Sequence, residues 1–325
     1  MGSMMRGLRD RQVLMVAARA DKPAVTTIGL LAACWLAAAP AFGLELQLPI
    51  DCTPGKGCFV QNHPDVDPGG EPRDFTCGDA TFAGLTGTDI RLLSVEAAKG
   101  VKVLAAAAGV VRGARDDMAD HLMRTDADKI AIAGRECGNG VVITHGEGWE
   151  TQYCQMRLGS VRVHRGDKIA AGAWLGDVGQ SGETTFAHIH ITVRHGGRTV
   201  DPFLGQPVSG ICHADGKTDP AASLWRKDVE EALGPPVTRL LEAGFSGGQV
   251  NENALEDGHS GVPPLVRTSL ELVLFARIMH LAKGDRVRLR AELPLGPPID
   301  LTAQPVDHDK AMMVVAISRS RGQTD

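Results

Sequence analysis

Two histidines one residue apart, His188 and His190 in the run HIHITVR, are the side chains of this chain best suited to chemistry. In a β-strand, residues i and i+2 leave the same face, so both imidazoles project together while Ile189 packs behind them. Such a pair can hold a zinc ion with one ring and meet a substrate with the other, as in a zinc hydrolase. That chemistry needs a further protein ligand and a group that moves a proton. Leu85-Thr86-Gly87-Thr88-Asp89 supplies a carboxylate, with leucine four residues before it. Tyr153-Cys154-Gln155-Met156 places a glutamine where a general base would be useful. Glutamine exchanges hydrogen bonds but does not titrate near neutrality.

The elements that must position these groups are short strands. Residues 101–108, 109–112, 140–145 and 150–155 read as strands, with Gly146-Glu147-Gly148 as the hairpin turn between the last two. Further strands are expected at 160–164, 174–179 and 188–194. The polar, acidic stretch 115–136 reads as a long loop over one end of the sheet. No helix-period segment competes, which predicts an antiparallel all-β domain over 81–206. Residues 44–80, rich in Pro, Gly and Asp with three cysteines, read as an irregular extension braced by disulfides. A linker is expected over 207–223, then a short helix at 224–233 stopped by Gly234-Pro235-Pro236. Strands at 237–245, 269–279, 285–292 and 312–317 make 224–325 a small β-sandwich-like module.

The strings GNGVVITHGEGWETQYCQM and GDKIAAGAWLGDVGQSGETTFAHIHITVR, together with GLTGTDI, resemble the LytM or lysostaphin-type family of peptidoglycan metallopeptidases. The resemblance spans roughly residues 80–203 and does not extend to 220–325. It implies an antiparallel β domain with a groove. Zinc ligands would come from H-x-G-x-D and from the last histidine of H-x-H. The first histidine of H-x-H and that of a Y-x-H-L motif would face substrate and water. On this sequence Asp89 and His190 fall at two of the ligand positions, His188 at the substrate-facing one, and Tyr153 at the tyrosine beside the groove. Leu85 stands at the third ligand position and Gln155 at the other catalytic histidine, in a register fixed by Gly87 and Asp89. His145 falls where the family usually carries a structural histidine outside the metal shell.

The two substitutions strike different steps. A structural four-ligand zinc site is worth roughly 10–16 kcal/mol, so one ligand carries on the order of 3–4 kcal/mol, or two to three decades in affinity. General acid–base help is worth roughly 10²–10⁴ in rate. The resemblance therefore implies a degenerate member, with weak residual zinc and no cofactor at full occupancy. Its groove would bind peptidoglycan, or regulate a cell-wall amidase, without cutting. One alternative is a zinc endopeptidase acting on peptidoglycan with an altered ligand set, drawing on His145, His121, Asp116 or Asp117. Another is a structural envelope protein whose C-terminal β-module does the binding. His63, His164, His195, His213, His259, His280 and His308 lack partner spacing and are expected at the surface.

The 325 residues suffice for two ordinary domains. Arg6, Arg9, Arg11, Arg19 and Lys22 lead into an apolar run over 28–39, and Ala39-Pro40-Ala41-Phe42-Gly43 offers small residues for cleavage. Residues 1–43 thus read as a secretory signal peptide. A lipoprotein-like box ends at Cys34, but the apolar run continues past it, so cleavage near Ala41 or Gly43 is expected over lipidation. Without the leader, 29 lysines and arginines face 37 acidic residues, a formal net charge of −8. That balance offers no footprint for nucleic acid, and no second apolar run would span a bilayer. A periplasmic or secreted protein is expected. Cys52, Cys58, Cys77, Cys137, Cys154 and Cys212 remain, an even set that reads as disulfides. Cys137 and Cys154 flank the hairpin turn at similar distances and are the favoured pair; zinc binding by cysteine lacks a C-x-x-C.

Overall fold

Strands form along the short apolar runs in the computed structural model, which describes residues 43–214, 222–293 and 297–320. They are β1 (Cys58–Asn62), β2 (Thr88–Leu92), β3 (Lys102–Leu104), β4 (Gly109–Arg115), β5 (Asn139–Thr144), β6 (Trp149–Met156), β7 (Lys168–Ile169) and β8 (Trp174–Asp177). After them come β9 (His188–His195), β10 (Arg198–Asp201), β11 (Gln206–Pro207), β12 (Arg239–Ser246), β13 (Glu271–Leu281), β14 (Arg288–Ala291), β15 (Ile299–Thr302) and β16 (Lys310–Ser320). Three short helices interrupt them: α1 (Asp126–Ala131), α2 (Lys227–Leu233) and α3 (Glu252–Glu256). The expected leader, except Gly43, and Cys34 lie outside the described residues. Among the described residues no helix is long and apolar enough to cross a membrane.

The main sheet is antiparallel and nine-stranded, in the order β1-β2-β9-β6-β5-β4-β7, with β10 and β11 continuing from β9. Its centre is β9, where the alternation is strict. Ile189, Ile191 and Val193 are at most 1% exposed and join the core, while His188, His190 and Thr192 take the opposite face. Burying each such aliphatic side chain is worth about 1.5–3 kcal/mol, and a one-residue slip would drive the histidines into the core. The register is therefore set by the core side of the strand. It places Asp89 of β2 and Cys154 of β6 on either side of His190, and Arg91 opposite His188.

Several expectations need correction. Residues 44–80 are braced by disulfides as expected but are not wholly irregular: they contribute β1, buried throughout and paired with β2. No strand forms at 160–164, because its donors go elsewhere: Val161 N–H to the Asp116 carboxylate and Arg162 N–H to the Leu175 carbonyl. The loop 115–136 carries α1, started by a Thr125–Asp128 capping box. The helix near 224–233 forms as α2, but Leu224, Trp225, Val229 and Leu233 pack into the core of the main sheet. The apolar stripe of α2 needs that cover. His63 is no surface residue. It is fully buried, edge-on to the stacked rings of Phe75 and Phe203 at 4.9 Å from each. His280 is largely buried too, bonded to the Gln61 carbonyl at 2.7 Å.

Among the described residues three disulfides brace the chain: Cys52–Cys58, Cys77–Cys212 and the expected Cys137–Cys154. The C-terminal sheet runs β12-β13-β16, and the hairpin β14–β15 packs on it through Leu289 and Ile299 against Leu274, Ile278 and Val315. An apolar patch of Phe59, Leu241 and Met279 joins this layer to β1. Beside it lies a buried ionic cluster. Glu256 Oε1 meets Arg91 at 2.6 Å and Arg277 at 2.8 Å, and Arg277 also reaches Glu242 at 2.6 Å.

Candidate functional site

The groove face of β9 opens onto a cavity of about 500 Å³. Its floor holds Asp89, His188, His190 and Gln155, and Phe82, Leu85 and Phe186 form an apolar wall. The loop before β2 reaches His190 only because residue 87 is glycine. A Cβ there would lie 2.4 Å from the Ile191 carbonyl oxygen and 2.6 Å from His190 Nε2.

Asp89 is nearly buried, and each of its oxygens has a protein donor. His190 Nδ1 meets Oδ1 at 2.7 Å, and Asn62 Nδ2 donates to Oδ2 at 2.8 Å. Burial works against the charge. His188, His190 and the Asn62 bond outweigh it and hold the carboxyl below its usual range. The second nitrogen of His190 is also engaged, with Nε2 at 2.9 Å from the Thr192 hydroxyl. This chain of contacts sets the His190 tautomer: Nδ1–H donates to the carboxylate and Nε2 accepts from threonine.

His188 is held differently. Its Nδ1–H donates to the Phe186 carbonyl at 3.0 Å, with the Thr184 hydroxyl at 3.1 Å, and the Phe186 ring lies 4.5 Å from the imidazole. Its Nε2 stands 3.6 Å from Asp89 Oδ1, beyond hydrogen-bond reach. Burial, with His190 and Arg91 nearby, lowers the His188 pKa against the pull of Asp89. The Arg91 guanidinium sits 5.0 Å from the centre of the Phe186 ring.

Gln155 sits on the groove through a β-bulge. Tyr153 pairs with Val141 and Met156 with Asn139, so β6 spends one extra residue, and Gln155 takes φ 61°. Its backbone N–H donates to the Cys137 carbonyl at 2.9 Å and its Nε2 to the Glu136 carbonyl at 3.0 Å. The disulfide partners Cys137 and Cys154 line the groove beside it. The same bulge corrects the expectation for Tyr153, which does not line the groove. Its ring is wholly buried in the core, and its hydroxyl accepts from Ala106 N–H at 2.7 Å and meets Thr151 at 3.0 Å. Burial pushes that hydroxyl up to about 12.

A zinc ion held by three protein ligands does not fit these residues. Leu85 offers no donor atom, while Asp89 and His190 bond directly to each other and to Asn62 and Thr192. Among the described residues no group of three His, Cys, Asp or Glu side chains is arranged to hold a metal. None of the proposed substitutes reaches the groove. His145 bonds the Ala108 carbonyl and Thr151, His121 bonds Asp128, Asp116 caps Gly159 and Val161, and Asp117 pairs with Arg135.

Asn62, Thr184, Phe186 and Thr192 also belong to the site and were not anticipated. Thr192 was legible in principle, two residues beyond His190 on the same strand face. Asn62 had no local signal, since it arrives from β1 through pairing with Asp89.

Among known proteins, residues 86–202 match Peptidase family M23. A mutant catalytic domain of the prophage-encoded M23 protein EnpA from Enterococcus faecalis aligns at 24% identity and a TM-score of 0.31, covering 45% of this chain and 88% of that one. A chain of the SpoIIIAH–SpoIIQ complex aligns at 18% identity and a TM-score of 0.34, covering 49% and 97%. The catalytic domain of lysostaphin from Staphylococcus simulans aligns at 18% identity and a TM-score of 0.26, covering 37% and 77%.

Proposed function

We propose that this protein, whose residues 86–202 match Peptidase family M23, is an exported, non-cleaving module of that family. Its groove binds peptidoglycan, as an end in itself or to bring a cell-wall hydrolase such as an amidase to its substrate. The observation that carries the reading is Leu85, a side chain without donor atoms, on the groove beside an Asp89–His190 pair bonded directly at 2.7 Å. Gln155 supports it, because an amide fixed on the Glu136 carbonyl has no proton to exchange near neutrality. The groove itself is intact, with walls, floor and volume for a peptide. The three disulfides suit an oxidising compartment outside the cytoplasm, and the periplasm is the proposed location.

The test uses the oxidised chain from residue 44 onward. Co-sedimentation with purified sacculi, without release of muropeptides in zinc-containing buffer, is expected. Stimulation of a periplasmic amidase in the same assay would identify the regulatory form of the function. A chain that neither sediments with sacculi nor stimulates an amidase contradicts the proposal, and so does muropeptide release abolished by His190→Ala.

A further inference from the structure

Resting on that reading, we infer that the groove floor is a receptor for a primary alkylammonium group, carried on an aliphatic side chain of a bound peptide. His190 is closed, with both nitrogens engaged. His188 is not: its Nδ1–H is spent on the Phe186 carbonyl, so Nε2 turns a lone pair toward Asp89 Oδ1 across 3.6 Å, with no donor between them. Gln155 is fixed in the same sense. Its amide nitrogen donates to the Glu136 carbonyl, which leaves Oε1 as a buried acceptor without a protein donor.

Asp89, His188 and Gln155 are each at most 5% exposed, and all three line the one groove. A buried polar atom left unmet is costly, and Gln155 Oε1 is one; His188 Nε2 accepts from no protein donor, and Asp89 Oδ1, already bonded to His190, keeps a second lone pair, so all three can take an N–H donor. A –NH3⁺ group brings three donors and one positive charge. The charge suits the lining, where Asp89, Glu136 and Glu183 outnumber Arg194, although Lys129 stands 3.4 Å from Glu183. The stem has its own partners in Leu85, Phe186 and the half-exposed Phe82, whose ring faces also favour a cation. Leu85 therefore does more than remove a ligand. It supplies apolar surface beside the place where charge is met.

Calorimetry on the oxidised chain from residue 44, in zinc-free buffer, tests this with two short peptides differing only in a free or acetylated lysine side-chain amine. The free amine should bind on the order of 10- to 100-fold tighter, the range of a charge-assisted hydrogen bond. Asp89→Asn should abolish the preference, and Gln155→Leu should reduce it several-fold with an unchanged melting temperature. Acetylation leaves the protein untouched, so this arm stands even where a variant fails to fold. Equal binding of the two peptides overturns the inference, as does stoichiometric zinc uptake that removes the preference. Sacculi binding without amine preference would sink this site alone. Amine-selective peptide binding without sacculi binding would sink the peptidoglycan reading and leave the site standing.

Discussion

Two buried polar clusters grow from the same strand, two residues apart, and they are built on opposite plans. The cluster at Asp89 is local: its partners Asn62, His190 and Thr192 all lie on strands of the main sheet. The cluster at Arg91 keeps Gln61 of β1 and the Leu92 carbonyl within the sheet but adds partners from outside it, Glu256 of α3 and, through it, Arg277 of β13 and Glu242 of β12. The difference separates the groove floor from the groove wall. The floor keeps its geometry by hydrogen bonds within the sheet. The wall also depends on Glu256 of α3, because Arg91 lies over Phe186 and Phe186 lies on His188.

The largest effect is expected at the junction. Glu256→Ala would leave Arg91 and Arg277 buried without their shared carboxylate, at a cost of about 3–5 kcal/mol in a urea melt. A loss below about 1 kcal/mol would mean that the ionic cluster does not hold the module. Next comes the groove's own brace. Converting Cys137 and Cys154 to serine removes a cross-link of sequence separation 17. Chain entropy puts that near ~3 kcal/mol, read as the shift in denaturant midpoint against the oxidised parent. Tyr153→Phe follows, at about 1–3 kcal/mol, because the Ala106 N–H and the Thr151 hydroxyl lose a buried partner. Peptide binding should be unchanged in that variant. Weaker binding at unchanged stability would return Tyr153 to the groove.

The effect smallest at neutral pH is a slope that emerges only as the pH falls. Burial among Phe75 and Phe203 lowers the His63 pKa from 6.5 to about 3. Between those values the unfolded chain binds a proton that the folded chain refuses, so stability rises with pH through the window. It is lost as pH falls below about 6.5, at up to ~1.4 kcal/mol per unit. His63→Phe should flatten that limb of the pH–stability curve. An unchanged slope would assign it to other groups.

How much of this was legible beforehand depended on local pattern. The alternation in HIHITVR located the two groove histidines and their apolar backing, while Asp89 was placed beside them only by the family resemblance that GLTGTDI helps to carry. The hairpin of β5 and β6 and the Cys137–Cys154 bridge followed from turn glycines and spacing. Tyr153 was misplaced for a specific reason. Strict alternation puts residues 153 and 155 on one face, and only the bulge, with Gln155 at φ 61°, sends them to opposite sides. The run CFVQN of β1 carries no alternation because it is buried on both faces, so it was passed over along with Asn62. Nothing local in the sequence marks Arg91 and Glu256 as partners, because they stand 165 residues apart.

A groove that binds without cutting leaves sacculi whole, and release of soluble muropeptides at saturating zinc is the measurement that decides it. The oxidised chain from residue 44 should release none, and the Leu85→His/Gln155→His variant should release them with a zinc affinity raised by roughly two to three decades. Release by the unmodified chain, lost on His190→Ala, would contradict the account.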